Sequence, residues 1–402
     1  MTDIAELRAA ANLLRTAEPT DRMLAVCIRA EGVEETWRAL SEAARHDGTD
    51  NAGAKSFITR CAATFGITAS TEAVSKAAER WRARITGHDG DADRDLRIME
   101  RLGARLITPD SSEWPEQLDD LGLDAPTALW VRGPGNLAEL ADVSCALVGA
   151  RAATGYGTAL AKNTAFELAR DCVTVISGGA FGIDAAAHAG ALAASSGRAS
   201  TIALMAGGVD RMYPRGNADL LEELCRNHLV VSECPPGATP MRHRFLARNR
   251  LIAALSSAVV VVEAGWRSGA INTAHHAAEL GRPLGAFPGR ASDVESAGCH
   301  RLIRDAGAVL VAEADHVREL LGTADIAELF SRESAQAHGK QADGLSDAEL
   351  KVFSALPVQR GVDCSTLAVR AGLDPQTTTA ALAALELAGL AQRSGDEWQK
   401  GR

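Results

Sequence analysis

The chain has 402 residues, 46% of them hydrophobic and 23% charged, with a net charge of −10. That length suits two or three domains, and the balance excludes a generally disordered or fibrous chain. Apolar runs such as Ser257–Ala264 are far shorter than the roughly 20 residues a membrane helix needs, and Met1–Glu6 lacks the basic and apolar pattern of a secretion signal, so a cytoplasmic protein is expected. The eight cysteines are scattered with no C-x-x-C pair, which points away from a metal site or a disulfide framework. The acidic total hides one basic block: residues 198–304 carry 13 Lys+Arg against 9 Asp+Glu, net +4, and every other quarter of the chain is acidic.

In chain order, residues 1–86 read as a small all-α module, with Leu7, Leu13, Leu14, Met23, Leu24, Ile28, Phe57, Ile58, Cys61 and Phe65 at helical spacing. The polar, acidic stretch from Gly87 to Asp95 reads as a linker. From 101 to 322 the pattern alternates. Strands are expected at Leu129–Arg132, Val143–Val148, Val173–Ser177, Ser200–Met205, Leu229–Ser232, Ala258–Glu263, Leu284–Phe287 and Ala308–Val311. Helices are expected at Ala159–Arg170, Asp184–Ala194, Asn217–Arg226, Phe245–Leu255, Ile271–Leu280 and Cys299–Ala306. Val/Ile-rich strands alternating with helices predict an α/β domain, a Rossmann-like doubly wound and mostly parallel sheet. Residues 323–344 read as a second linker. Residues 345–402 hold a capping box at Ser346–Glu349, an Asp374-Pro375 helix start and a closing hairpin after Gly389, the outline of a winged-helix-like domain.

Four strand-to-helix turns carry the candidate chemistry. The first, Gly149-Ala-Arg151 to Gly157, offers backbone N–H groups at a helix start and one guanidinium, a general phosphate signal that is neither G-x-G-x-x-G nor Walker A. A tight turn with a surface Arg fits it equally well. The second is Ser177-Gly178-Gly179-Ala-Phe181-Gly182-Ile-Asp184, with Asp184 a helix cap and His188 a structural histidine in the simpler reading. A further Gly-rich turn runs to Tyr213-Pro214-Arg-Gly-Asn217, where Asn217 reads as an N-cap. The third is the Arg-dense Arg242-His-Arg244-Phe245-Leu-Ala-Arg248-Asn249-Arg250. Its basic side chains stand at the wrong end of a helix for the dipole, which favours a polyanion partner over a solvated helix end, and Phe245 can stack on a base. The fourth, Glu263 to Thr273, places Ser268, Gly269 and Thr273 to donate to phosphate, with Glu263 orienting a neighbouring Arg. On a doubly wound sheet such turns meet at the carboxyl edge. No nucleophile with an evident base emerges, so no catalytic residue, metal or cofactor is expected.

Taken together, VGARAATGYG, SGGAFGIDAAAHAGAL, AGGVDRMYPRGN, SECPPGATP, RNRLIAALS, VEAGWRSGAINTA and Pro288-Gly289 stand in one order that resembles the DNA-processing protein A family (DprA, or Smf). The resemblance spans about 105–322, with a compatible N-terminal region and tail. It implies a single-stranded DNA-binding recombination mediator that turns over no substrate. Such a protein protects incoming strands and loads the RecA recombinase past single-strand-binding protein in natural transformation, working as a homodimer. By motif, Arg151 matches the family's G-S-R turn, with Ala150 in place of Ser. Arg248 and Arg250 match its R-N-R segment, where phosphate contacts are expected. Ser177, Gly178, Gly182, Ser268 and Gly269 match pocket loops, and Phe181 stands where many members are basic. The alternative is a Rossmann-like nucleotide-monophosphate phosphoribohydrolase, but its PGGxGT start is absent. The tail helix Pro375–Ala388 has Glu386 as its one charge, so the tail is expected to contact protein rather than duplex DNA.

Overall fold

The computed structural model describes residues 3–46, 50–87, 92–194, 198–322, 346–357, 361–394 and 397–400. They form two compact units, 1–322 and 323–402. Within the segment expected to be the second linker, no residue lies in the described set.

The first unit opens with six helices: α1 (Ile4–Thr16), α2 (Arg22–Glu31), α3 (Val33–His46), α4 (Ala52–Thr64), α5 (Thr71–Gly87) and α6 (Ala92–Arg101). Leu13, Leu24, Cys27, Leu40, Phe57, Ile58 and Trp81 close a core of their own. The expected linker is only partly a connection, because residues 92–95 already belong to α6. Asp95 there is buried and holds Arg15 of α1, so its acidic character serves an ion pair rather than a solvated link.

The sheet follows. Its strands are β1 (Ala104–Ile107), β2 (Leu129–Arg132), β3 (Ser144–Gly149), β4 (Thr174–Ser177), β5 (Thr201–Leu204), β6 (Leu229–Ser232), β7 (Ala258–Glu263), β8 (Leu284–Ala286) and β9 (Val309–Leu310). Their spatial order is β1-β2-β6-β5-β4-β3-β7-β8-β9. β3 through β9 pair in parallel, while β1–β2 and β2–β6 are antiparallel. Connecting helices are α7 (Leu137–Asp142), α8 (Gly155–Arg170), α9 (Ile183–Ala194), α10 (Ala218–Asn227), α11 (Arg242–Leu255), α12 (Ala270–Glu279), α13 (Ala297–Asp305) and α14 (Ala314–Leu320). The period-2 alternation of a strand buries both faces. Along β3, Ala146 and Val148 pack with Leu251–Leu255 of α11 and Ile271 and Ala274 of α12. Cys145 and Leu147 pack with Ala161, Ala165 and Leu168 of α8 and Ile183, Ala187 and Ala191 of α9. Ala10, Ala11 and Leu14 of α1 join Met99, Trp130, Met205 and Val230 in one cluster, which ties the N-terminal helices to the sheet. Chain order runs outward from β3 in both directions, so the winding reverses between β3 and β7, the place where a doubly wound sheet opens a crevice at its carboxyl edge.

The second unit has α15 (Asp347–Ala355), β10 (Val362–Asp363), α16 (Cys364–Ala371), α17 (Pro375–Leu387), β11 (Ala391–Ser394) and β12 (Glu397–Lys400). Val352, Leu367, Leu382, Leu385 and Trp398 fill its core, and the sheet order β10-β12-β11 completes a winged helix. The Ser346–Glu349 capping box forms, and Asp374 accepts from the backbone N–H of Gln376 and Thr377 ahead of Pro375. Among the described residues no helix is long and apolar enough to cross a membrane.

Candidate nucleic-acid interface

A cleft of about 870 Å³ opens where the winding reverses. The turn after β3 forms one wall, the turn after β7 another, and the start of α11 the third. The first turn is clamped from behind. Ala150 N–H donates to the Glu263 carbonyl at 2.7 Å, and the Glu263 carboxylate accepts from Thr154 Oγ1 at 2.9 Å and from Thr154 N–H at 3.2 Å. Glu263 therefore fixes the N-cap of α8 instead of orienting an arginine. Thr154 in turn accepts from Gly157 N–H, which starts α8 four residues earlier than the apolar pattern indicated.

The second turn lies beneath the cleft floor. Gly182 has φ +76°, and a Cβ there would stand 2.3 Å from the Ala150 carbonyl oxygen, so glycine is required by both conformation and contact. Asn217 donates to the carbonyls of Gly179 and Ala180 at 3.0 Å; it braces this turn rather than capping α10, where it makes no side-chain cap bond. Asp184 lies inside α9 and accepts from Ala180 N–H at 3.4 Å. Burial pushes its carboxyl up, and the Arg248 charge opposes that. His188 is fully buried with Nδ1 2.8 Å from Thr201 Oγ1; burial lowers it to about 3, so it is a neutral interior histidine and does not face the first turn.

The third wall is the Arg-dense segment, which is helical from its first residue. Its side chains divide by helical geometry. Phe245 and Arg248 turn toward the cleft. The Arg151 guanidinium lies 4.5 Å and that of Arg248 6.0 Å from the Phe245 ring centre, an electrostatic attraction between cation and π face. Tyr213 approaches the same ring at 6.1 Å. Arg248 forms the floor, 6% exposed, donating to the carbonyls of Gly178 and Leu204. Burial and the neighbouring Arg151 charge lower its guanidinium to about 10, with Asp184 opposing, so it stays cationic at neutral pH.

Of the residues expected at the site, Gly149, Arg151, Phe245, Arg248, Asn249, Ser268, Gly269 and Thr273 line the cleft. The others do not. Ser177 is buried and donates to the Leu147 carbonyl at 2.6 Å. Gly178 and Gly179 meet Arg248 and Asn217 through their carbonyls, and Gly182 packs under the first turn. Phe181 is exposed, lying against Gly216. Arg244 turns away to Glu18 of the N-terminal helices. Arg250 is a correction to the phosphate-contact expectation: it is 2% exposed, paired with buried Glu233 at 2.8 Å, and bonded to the Asp124 and Ala247 carbonyls. An arginine so enclosed holds the fold and has no face left for a ligand.

The sequence reading missed four cleft residues as ligand contacts: Tyr213, Arg242, Trp266 and Arg267. Each belongs to a segment already singled out, and its aromatic or cationic side chain in a turn at the carboxyl edge of the sheet was the available signal. Trp266 is 56% exposed at the rim, with the Arg301 guanidinium 4.7 Å above its ring. Among the described residues, no ion pair engages Arg151, Arg242 or Arg267. Cations without carboxylate partners beside exposed rings suit a ligand with both phosphates and flat bases. Of the carboxylates about the cleft, Glu263 and Asp184 are occupied by the turns they hold, and Glu295 stands exposed on the lining. Among the described residues no group of His, Cys, Asp or Glu is arranged to hold a metal ion.

The sequence profile described as DNA recombination-mediator protein A matches residues 105–322, and one described as the DprA winged helix domain matches 336–397. A chain of Mycobacterium tuberculosis named for the DNA processing protein DprA is 44% identical over 330 residues, covering 79% of this chain and 83% of its own. The DNA processing protein DprA of Streptococcus pneumoniae is 40% identical over 204 residues, covering 51% and 70%. An X-ray structure of DprA from Streptococcus pneumoniae superposes with a TM-score of 0.59 at 30% identity, covering 76% of this chain and 94% of that one.

Proposed function

This chain belongs to the DNA recombination-mediator protein A family, and on that premise we propose that it binds single-stranded DNA in the cleft between the β3 and β7 turns. The observation that carries this reading is the joint placement of Arg151, Arg242 and Arg267, without ion-pair partners among the described residues, and the rings of Phe245, Tyr213 and Trp266 around one opening. Phosphates meet the guanidinium groups, and unstacked bases meet the rings. A duplex hides its base faces, so a site whose rings stand in the cleft selects single strands. In this reading Arg151, Gly149, Ser268, Gly269 and Thr273 take phosphate, Phe245 takes a base, and Arg248 supplies charge from the floor.

The wider role, protecting incoming strands and loading RecA past single-strand-binding protein in natural transformation as a homodimer, rests on the family resemblance. A strand held by phosphates and a few bases along one open cleft leaves its remaining face available to a recombinase. The test is fluorescence anisotropy with labelled oligo-dT and a matched duplex across a salt series. Tight single-strand binding, with log affinity falling by about 0.7 per phosphate contact per log unit of salt, supports the reading. Equal or better duplex binding, or binding insensitive to salt, overturns it.

A further inference from the structure

Behind the start of α11 lies a second cleft of about 540 Å³, between α1, α5 and the Pro235–Thr239 turn. One short segment divides it from the first. Pro240, Arg242 and Phe245 face the first cleft, while Thr239, Met241 and Arg244 face the second. A strand leaving the first cleft over this segment enters the second directly.

The second cleft is cationic, with a single carboxylate at its centre. Glu18, at the corner between α1 and α2, accepts from Arg84 at 2.6 Å, from Arg244 at 2.8 Å through both Nε and Nη2, and lies 3.0 Å from His243 Nε2. Arg15 lines the same space, tied to Asp95 and to the Pro236 carbonyl. Two arginines and a histidine thus converge on one carboxylate beside an open volume. A pair that served only to dock the helices onto the sheet would be packed dry; here the Glu18 side chain is 27% exposed and His243 53%. One carboxylate leaves excess positive charge and donor capacity. A backbone phosphate, a diester with two terminal oxygens and one negative charge, offers these donors the same kind of acceptor pair as the carboxylate and can take its place.

We propose that the second cleft takes backbone phosphates of the same single strand, on Arg84, His243 and Arg244, and that Glu18 is a built-in counter-ion competing with those phosphates. The N-terminal helices then extend the strand path and set its affinity through one acid. This rests on the single-strand reading of the first cleft, and two strand lengths separate the two claims.

Single-strand binders occupy about 4–16 nucleotides per module, so the probes are oligo-dT of about 6 and about 20 nucleotides, measured by anisotropy on the full chain. The short strand reports the first cleft alone. Glu18→Gln keeps the shape and removes the charge; it tightens the long strand about two- to fivefold and leaves the short strand unchanged. Arg84→Gln weakens the long strand, lowers its salt slope by about 0.7, and leaves the short strand unchanged. Either variant altering both lengths alike, neither altering the long strand, or Glu18→Gln weakening the long strand overturns the inference. Failure of the wild-type protein to bind the short strand overturns the reading of the first cleft, and this inference with it. Thermal unfolding of both variants confirms that the comparison is between folded proteins.

Discussion

Two helices of this protein begin in opposite ways. α17 of the second unit starts with devices that favour a helix: Asp374 accepts from the first free N–H groups, Pro375 occupies the first turn, and no Lys or Arg follows. α11 starts with none of them. Its N-cap is Met241, whose side chain accepts nothing, and its first turn holds Arg242, His243 and Arg244 against the helix dipole. Such an arrangement costs local stability. Local rules are broken where function asks for it. α17 is built for its own fold, whereas α11 opens without a side-chain cap and sets Arg242, with no ion-pair partner among the described residues, beside a cleft.

The same contrast recurs within α11, two residues apart: Arg248 faces the cleft floor and Arg250 is locked to Glu233. The largest expected effect breaks that distinction. Arg250→Ala leaves Glu233 buried without its partner, in a site where burial already pushes the carboxyl up against the Arg250 charge. It should lower stability by about 3–5 kcal/mol in urea unfolding. A loss of DNA affinity at unchanged stability would instead make Arg250 a ligand contact. Phe245→Ala should cost about 1–3 kcal/mol of single-strand binding with little change in salt slope, because a ring contributes stacking and no charge. A changed slope with unchanged affinity would assign the ring no stacking role.

Smaller is the pH effect of the Glu18 cluster. Burial raises Glu18, but hydrogen bonds from Arg244, His243 and Arg84 outweigh it and hold the carboxyl down at about 2. A depressed carboxylate contributes stability above its unfolded value near 4.5, and that contribution is lost as pH falls toward about 2. The difference in urea midpoint between wild type and Glu18→Gln should therefore shrink over that window; a difference constant with pH would contradict the assignment. The smallest expected effect is none at all. Deleting residues 346–402 should leave oligo-dT affinity unchanged, since α17 has Glu386 as its one charge; a large loss would place DNA contacts in the tail.

The parallel strands were legible because buried β-strands write themselves as short Val-rich or Leu-rich apolar runs, and Ala258–Glu263 and Leu229–Ser232 fall where those runs stand. So were the capping box at Ser346 and the Asp374 cap, which are local interactions. Long-range partners were not legible. Nothing near Arg250 in the sequence marks Glu233 as its ion pair, nor does anything near Arg244 mark Glu18, 226 residues away. The same limit hid Asn217, whose short-range role as a cap was outcompeted by two carbonyls of a turn 37 and 38 residues earlier. Tyr213 and Trp266 reach the cleft only because the sheet brings their turns together.

The buried setting of Arg248 makes it a poor first probe, since its loss would disturb the Gly178 and Leu204 carbonyls as well as any ligand. Arg151 and Arg242 are exposed and bound to no carboxylate among the described residues. The most direct measurement is therefore anisotropy of labelled oligo-dT with Arg151→Gln/Arg242→Gln and the wild-type protein across a salt series. The account predicts an unchanged unfolding midpoint, weaker binding, and a salt slope shallower by about 1.4 for two lost phosphate contacts. Wild-type affinity and slope in the double variant would contradict it.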